Sequence, residues 1–292
     1  MLSIITINYN GSQDTIKLLE SLKRQTDKDF EIIIIDNKSS PEDIQTLQNF
    51  IETRKNNFNS LELIKSEKNL GFSGGNNLGI KQALRQDADW IVLLNNDSWV
   101  ETNFIARLKP ELNATEADMV GIPLNEGGRV AYCGKIEWLK PTLSHVYELI
   151  SRLNKKSIYV IGGAMAINRK VFEKIGHLDE NYFLYFEDAD FSKKTLAAGF
   201  KTKILPNPKA HHAVSSATNK LGSPLLLRYH YRNALYFNFK NGPWYIKIIV
   251  WPWSWLIILK QIFKLLIGHH SAQSRAVISG VLDFYLRRMR QI

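Results

Sequence analysis

Ile91-Val92-Leu93-Leu94-Asn95-Asn96-Asp97 is an apolar run that ends abruptly in oxygen-bearing side chains. With Trp90 ahead of it, the run suits a buried central strand of a parallel sheet. In open α/β sheets ligands bind just beyond the carboxyl ends of the strands, which is where Asp97 would stand. A carboxylate beside amide oxygens suits a hard divalent cation that keeps some waters and also meets substrate phosphates. The same seven residues also read as a strand followed by an Asn/Asp turn. The rest of the chain has to decide between the two.

Upstream, the pattern alternates. Leu2–Asn8 reads as a first strand, and Ser12–Gln25 as a helix with Ile16, Leu19 and Leu22 on one face. Phe30–Ile35 is a second strand ending in Asp36-Asn37, and Pro41 opens a second helix where its missing N–H costs little. Leu61–Ile64 reads as a short third strand. The glycine-rich stretch Asn69–Asn77 then leads into a helix through about Arg85, and Trp90–Leu94 is the fourth strand. This βαβαβαβ order predicts an α/β fold with a mostly parallel, doubly wound sheet and flanking helices. The first βα junction, Asn8-Tyr9-Asn10-Gly11, lacks the glycines of a dinucleotide fingerprint, so an NAD-dependent reductase is disfavoured. Asp36 remains placed to reach a ribose or a base.

Beyond residue 100 the alternation loosens. Met119–Pro123 reads as a strand, and 155–169 holds a small-residue strand of the kind that backs a cleft. Phe183–Phe191 sets Glu187, Asp188 and Asp190 beside four large apolar residues. One reading is a solvated acidic helix start. The other is a pocket wall, where a carboxylate against apolar surface gains proton affinity and can act as a general base. Pro206-Asn207-Pro208 leads stiffly to His211-His212, and one histidine there could complete a metal site with Asp97.

The chain has 292 residues, enough for one large domain or a domain with an appendage. One cysteine, Cys133, excludes an internal disulfide and fits a reducing compartment. The N-terminus has neither the basic region nor the apolar length of a signal peptide. Residues 221–292 hold 10 Lys/Arg against Asp283 alone, so they carry +9 of the net +10. That argues against a nucleic-acid-binding core and for a basic C-terminal region with its own partner. Trp244, Trp251, Trp253 and Trp255 lie there, four of the seven tryptophans, and twelve uncharged residues containing Pro252 separate Lys247 from Lys260. A membrane span needs about 20 apolar residues, so this stretch reads as too short and too broken to cross. Tryptophans with lysines fit a segment lying in the membrane surface. A helical hairpin packed on the protein or on a second subunit is the competing reading.

Taken in order, Asn8-Tyr9-Asn10-Gly11, Asp36-Asn37-Lys38-Ser39, Asn69–Gly79 and Asn95-Asn96-Asp97-Ser98 resemble the GT-A glycosyltransferases of family 2. Glu187-Asp188 with Asp190 and His212–Ser216 continue the resemblance. Tyr229-His230-Tyr231-Arg232-Asn233 is similar to the Tyr-Tyr-x-x-Arg-Asn segment of the bacterial rhamnosyltransferase-like branch, with His230 out of step by a residue. The resemblance covers about residues 1–235, and implies a GT-A catalytic domain over 1–220 and a basic, Trp-rich helical region over 221–292. It implies inverting transfer from a nucleotide-sugar donor (dTDP-rhamnose favoured, a UDP-sugar permitted) to a lipid-linked or cell-surface glycan. Asp188 resembles the catalytic base, and Asp97 with His212 the ligands of Mg²⁺ or Mn²⁺. Asn95 stands where the metal motif usually begins with Asp. Asp36 resembles the nucleoside grip, and Asn8, Asn10, Asn76, Asn77, Asn95 and Glu187 are expected donor contacts. The expected location is cytoplasmic, peripheral on the inner face of the cell membrane through 244–292, with pairing to a second copy left open. A catalytically silent surface scaffold of the same fold is the alternative.

Overall fold

The computed structural model describes residues 1–149, 157–212 and 223–292. The first half runs β1 (Leu2–Asn8), α1 (Ser12–Lys23), β2 (Glu31–Asp36), α2 (Pro41–Arg54), β3 (Ser60–Lys65), α3 (Gly71–Arg85), β4 (Trp90–Leu94), β5 (Ser98–Val100) and α4 (Phe104–Ala114). Short strands follow: β6 (Met119–Gly121), β7 (Leu124–Glu126), β8 (Arg129–Ala131), β9 (Cys133–Lys135), β10 (Ser144–Val146), β11 (Ile158–Tyr159) and β12 (Ala164–Asn168). Then come α5 (Arg169–Ile175), α6 (Glu187–Ala197), β13 (Thr202–Ile204), β14 (Ala210–His212), α7 (Pro224–Asn241), α8 (Trp244–Leu266) and α9 (Ser271–Tyr285).

The main sheet has the order β13-β6-β12-β4-β1-β2-β3. β1 to β4 run parallel, so Asn8 lies beside Asp36 at their carboxyl ends. β12 departs from the doubly wound expectation, because it pairs antiparallel with both β4 and β6. The unbroken apolar runs are explained by cover on both faces. Ile4, Ile32, Ile34, Val92 and Leu94 belong to the core on one face, with Leu18, Leu22, Phe104 and Leu108 from α1 and α4. Their neighbours Ile5, Ile33, Ile35, Ile91 and Leu93 point the other way, against Ile80 and Ala83 of α3 and Phe191 of α6. A period of two along each strand makes that division automatic.

Three expectations change in detail. The glycine-rich stretch is largely helix, since α3 begins at Gly71. The strand expected within 155–169 begins at Ala164, and residues 155 and 156 lie outside the described residues. Pro252 does not interrupt α8, which continues for 23 residues and is long and apolar enough, by length and composition, to cross a membrane. The charges that bound the apolar stretch in sequence, Lys247 and Lys260, lie within this helix.

The region 221–292 is also fastened to the rest of the chain. Arg232 Nη1 donates to the carbonyls of Arg288 and Arg290, and Nη2 to those of Asn181 and Tyr182. The Arg290 N–H returns a bond to the Asn181 carbonyl. Lys240 of α7 pairs with Asp179 and with Asp190, so Asp190 faces α7 and is spent on an ion pair.

Candidate active site

The carboxyl end of β4 opens into the chain reversal Asn95-Asn96-Asp97, which enters β5. Asn96 Nδ2 reaches Thr15 Oγ1 at 3.1 Å, tying this reversal to the start of α1. A second, four-stranded sheet with the order β5-β14-β7-β8 decides what Asp97 meets. His212 pairs with Ser98 on one side and Glu126 on the other. Alternation along β14 sends the two histidines to opposite faces. His211 stacks on Trp99 with centroids 3.8 Å apart, while His212 Nε2 lies 3.0 Å from Asp97 Oδ1. Asp97 Oδ1 is nonetheless buried without a hydrogen-bond partner. A carboxylate and an imidazole in contact, with a carboxylate oxygen short of a hydrogen bond, are the types of group that can hold a divalent cation.

Among the described residues, no group of three His, Cys, Asp or Glu side chains is arranged to hold a metal. Asp97 and His212 therefore supply two positions at most. That number fits Mg²⁺ or Mn²⁺, which are held by few protein groups, with substrate phosphate oxygens and water completing the shell. Burial works to lower the proton affinity of His212, but the Asp97 carboxylate raises it overall.

His212 and Asp188 line one cavity of about 680 Å³, together with Glu126, Arg129, His145, Tyr159, Tyr185, Glu187 and His230. Asp188 is held by two backbone donors, Gly162 N–H at 2.9 Å and Ala189 N–H at 2.8 Å. Burial still pushes it above the ordinary carboxylate range. Glu187 is raised further, first by burial and then by the neighbouring Asp188 charge, and its Oε2 has no partner. The pair thus keeps a proton more readily than two solvated carboxylates would.

The backbone before α6 is unusual. Phe183, Tyr185 and Phe186 all have positive φ, at 60°, 71° and 74°. Each such non-glycine residue costs about 1–3 kcal/mol, so surrounding structure must hold it. Asn233 Nδ2 lies 2.8, 2.7 and 3.2 Å from the carbonyls of Tyr182, Leu184 and Tyr185. The Phe72 N–H donates to the Phe183 carbonyl at 2.6 Å. Gly71 lies against that same carbonyl with φ +69, where an added Cβ would collide with it. These contacts aim Glu187 and Asp188 into the cavity.

The expected donor contacts fall into separate groups. Asn8 Nδ2 reaches Asp36 Oδ1 at 3.1 Å and Asp43 Oδ2 at 2.8 Å, so Asn8 and Asp36 share one buried cluster. Asn10 Oδ1 accepts from the Ser40 N–H, closing the first loop against the second. Asn95 meets the Gly163 backbone through its own N–H at 3.0 Å. Asn76 Nδ2 is bonded within α3 to the Phe72 carbonyl. Asn77 stands elsewhere: both ends of its amide bind the Leu178 backbone, at 2.9 and 3.0 Å. Its side chain clamps the loop after α5, and the structure does not bring it to the cavity.

Several cavity residues carry no signal in the sequence. Glu126, Arg129, His145 and Tyr147 sit on or beside three-residue strands, too short to show periodicity. Burial alone would raise Glu126, but hydrogen bonds from His145 and Tyr147 hold it below the ordinary carboxylate range. The tail of the motif that begins at His212 lies in 213–216, outside the described residues.

A mostly parallel sheet with polar carboxyl ends, and a cavity lined by His212 and the buried Glu187–Asp188 pair, give the chain a GT-A-like architecture. The profile of glycosyl transferase family 2 matches residues 3–176, more than half of the chain, and the chain belongs to that family. It is 28% identical over 211 residues to a low-salt glycan biosynthesis hexosyltransferase of Haloferax volcanii, covering 65% of this chain and 60% of the relative. It is 25% identical over 250 residues to the dTDP-rhamnosyl transferase RfbF of Shigella flexneri, covering 81% and 79%. In fold it is similar to the mannosyltransferase PcManGT of Pyrobaculum calidifontis, solved with GDP-Man and Mn2+. That likeness has a TM-score of 0.58 at 13% identity, over 98% of this chain and 87% of the other.

Proposed function

We propose that this glycosyltransferase inverts the sugar it transfers, taking it from a nucleoside-diphosphate donor to a hydroxyl of a lipid-linked or cell-surface glycan. The observation that carries the reading is the cavity shared by Asp188 and His212, with Asp97 beside the histidine. Asp36, Asn8 and Asn10 would hold the nucleoside at the ends of β1 and β2. Asp97 and His212 would hold Mg²⁺ or Mn²⁺, which when bound offsets the charge that develops on the leaving diphosphate. Asp188 takes the proton of the acceptor hydroxyl as its oxygen bonds to the anomeric carbon. The bond from that carbon to the diphosphate breaks in the same displacement, and the nucleoside diphosphate departs. No protein nucleophile is required. The Shigella relative's name supports dTDP-rhamnose as the donor, with UDP-sugars next.

A membrane surface is the proposed location of the acceptor, on the cytoplasmic side. α8 buries Ile246, Val250, Ser254 and Ile257 against its neighbours. Its other face leaves Trp244, Trp255, Leu259 and Phe263 between 59% and 75% exposed. Lys247 and Lys260 flank that face, and each cation near an anionic surface contributes about 1 kcal/mol. A helix packed on one side and apolar on the other fits a surface-lying segment. Replacing Trp255, Leu259 and Phe263 by Glu should abolish cosedimentation with phosphatidylglycerol vesicles. Unchanged cosedimentation refutes the placement, and resistance of the bound wild type to alkaline carbonate means that α8 spans instead.

The catalytic reading is tested by incubating the purified chain with UDP-, dTDP- and GDP-sugars and Mg²⁺ or Mn²⁺. Release of nucleoside diphosphate, abolished by EDTA, is expected with one donor class. Neither release nor a thermal shift with any donor leaves only the silent scaffold.

A further inference from the structure

His230 of α7 is a buried polar side chain whose needs the described residues do not meet. It is only 6% exposed, and among the described residues neither ring nitrogen has a hydrogen-bond partner. A buried polar group left unpaired costs about 1–3 kcal/mol, so a ring whose nitrogens no described residue pairs calls for a ligand. The ring lines the same cavity as Asp188 and His212. It stacks on Tyr185 with centroids 4.0 Å apart and planes 16° from parallel. Tyr185 is itself set by the left-handed backbone that Asn233 holds. The stack covers one face of the imidazole and fixes its plane, while both nitrogens on its edge stay unclaimed.

The chemistry of the wall narrows the ligand. Burial pulls His230 down to about 4, so at neutral pH the ring is uncharged and offers one donor and one acceptor. Glu187 Oε2, on the same wall, is also buried and unpartnered. Two acidic side chains beside the neutral imidazole leave phosphate to the part of the cavity that holds Arg129 and His212. An apolar occupant would leave all of these atoms unsatisfied. Neutral hydroxyls of a sugar ring entering this cavity can donate to or accept from each of these atoms. We infer that Tyr185 and His230 form an acceptor-sugar subsite, with His230 the acceptor-binding residue that bonds a hydroxyl of the incoming glycan. This inference rests on the glycosyltransferase reading and adds to it the residue that selects the acceptor.

The experiment uses the full chain, the donor found active above, and octyl glycosides of glucose, galactose and N-acetylglucosamine as acceptor probes. His230→Phe keeps the ring and the stack but removes both nitrogens. His230→Gln keeps one donor and one acceptor. With the best octyl glycoside, His230→Phe should raise the acceptor KM about tenfold or more, as loss of one or two hydrogen bonds predicts. The donor KM should stay within twofold, and His230→Gln should recover part of the loss. An acceptor KM unchanged in His230→Phe overturns the assignment. So does a parallel rise in both KM values, which marks a structural role. A wild type that turns over donor into water, with no octyl glycoside accelerating it, overturns the subsite while leaving the enzyme reading intact. A wild type inert toward every donor overturns the enzyme reading itself, and the subsite with it.

Discussion

Replacing Arg232 by Met tests how the C-terminal region supports the cavity. The guanidinium is fully buried and, among the described residues, forms no ion pair. It donates to four backbone carbonyls, at 3.2, 2.7, 3.3 and 3.1 Å, joining residues 288–290 to residues 181 and 182. Charge-assisted bonds contribute about 1.5 kcal/mol each at the low end, so the four together stabilise the fold by roughly 6 kcal/mol gross. Burial opposes them, since it lowers Arg232 to about 10. At about 1.4 kcal/mol per pKa unit, that net shift stands for roughly 3 kcal/mol against the charged guanidinium. Arg232→Met should therefore destabilise the protein by about 3 kcal/mol, read as a lower midpoint in urea with an unchanged slope. Because Asn181 and Tyr182 open the strained segment before α6, the variant should also be cut faster by protease between residues 180 and 187. A loss below about 1 kcal/mol, or unchanged cleavage, would show that the tail does not brace the segment carrying Asp188.

Asp188→Asn should lower transfer by about 10²–10⁴-fold, the usual contribution of a general base, while the thermal shift caused by donor remains; a near-normal rate refutes its role. Since burial raises Asp188, the acid limb of the wild-type pH–rate profile should lie above the ordinary carboxylate range, with activity falling as pH drops through it. Gly162→Ala would place a Cβ 3.1 Å from that of Asp188, so transfer should fall with little loss of stability, measured as rate against melting temperature. For Glu187 the sign runs opposite to a salt-bridged acid. Its folded-state proton affinity is raised, so wild-type stability is lost as pH climbs from about 4.3, the unfolded value, through the folded value. Glu187→Gln should then be the more stable form at pH 7 by about 1 kcal/mol or more, with the gap closing below about pH 4; equal stabilities at pH 7 would contradict the buried, proton-retaining state.

The sequence by itself determined the layered frame. Runs such as Ile32–Ile35 and Ile91–Leu94 are apolar without interruption, which only a strand covered on both faces requires. Strand ends were legible too, because Asn8, Asp36 and Asp97 break those runs with polar groups where a parallel sheet meets its ligand. What the sequence left open has a common physical cause. His212 reaches Asp97 only through a sheet of three-residue strands, and pairing between distant short strands leaves no periodic trace. The positive φ values at Phe183, Tyr185 and Phe186 are imposed by Asn233, Phe72 and Gly71 from elsewhere, against local preference. α8 reads as broken at Pro252, yet it packs as one helix because Ile246, Val250, Ser254 and Ile257 share one buried face. Asn77 looked identical in kind to Asn76, and only the position of the Leu178 backbone showed where its amide is spent. Local chemistry chose the elements, and long-range contacts chose which of their polar ends face one cavity.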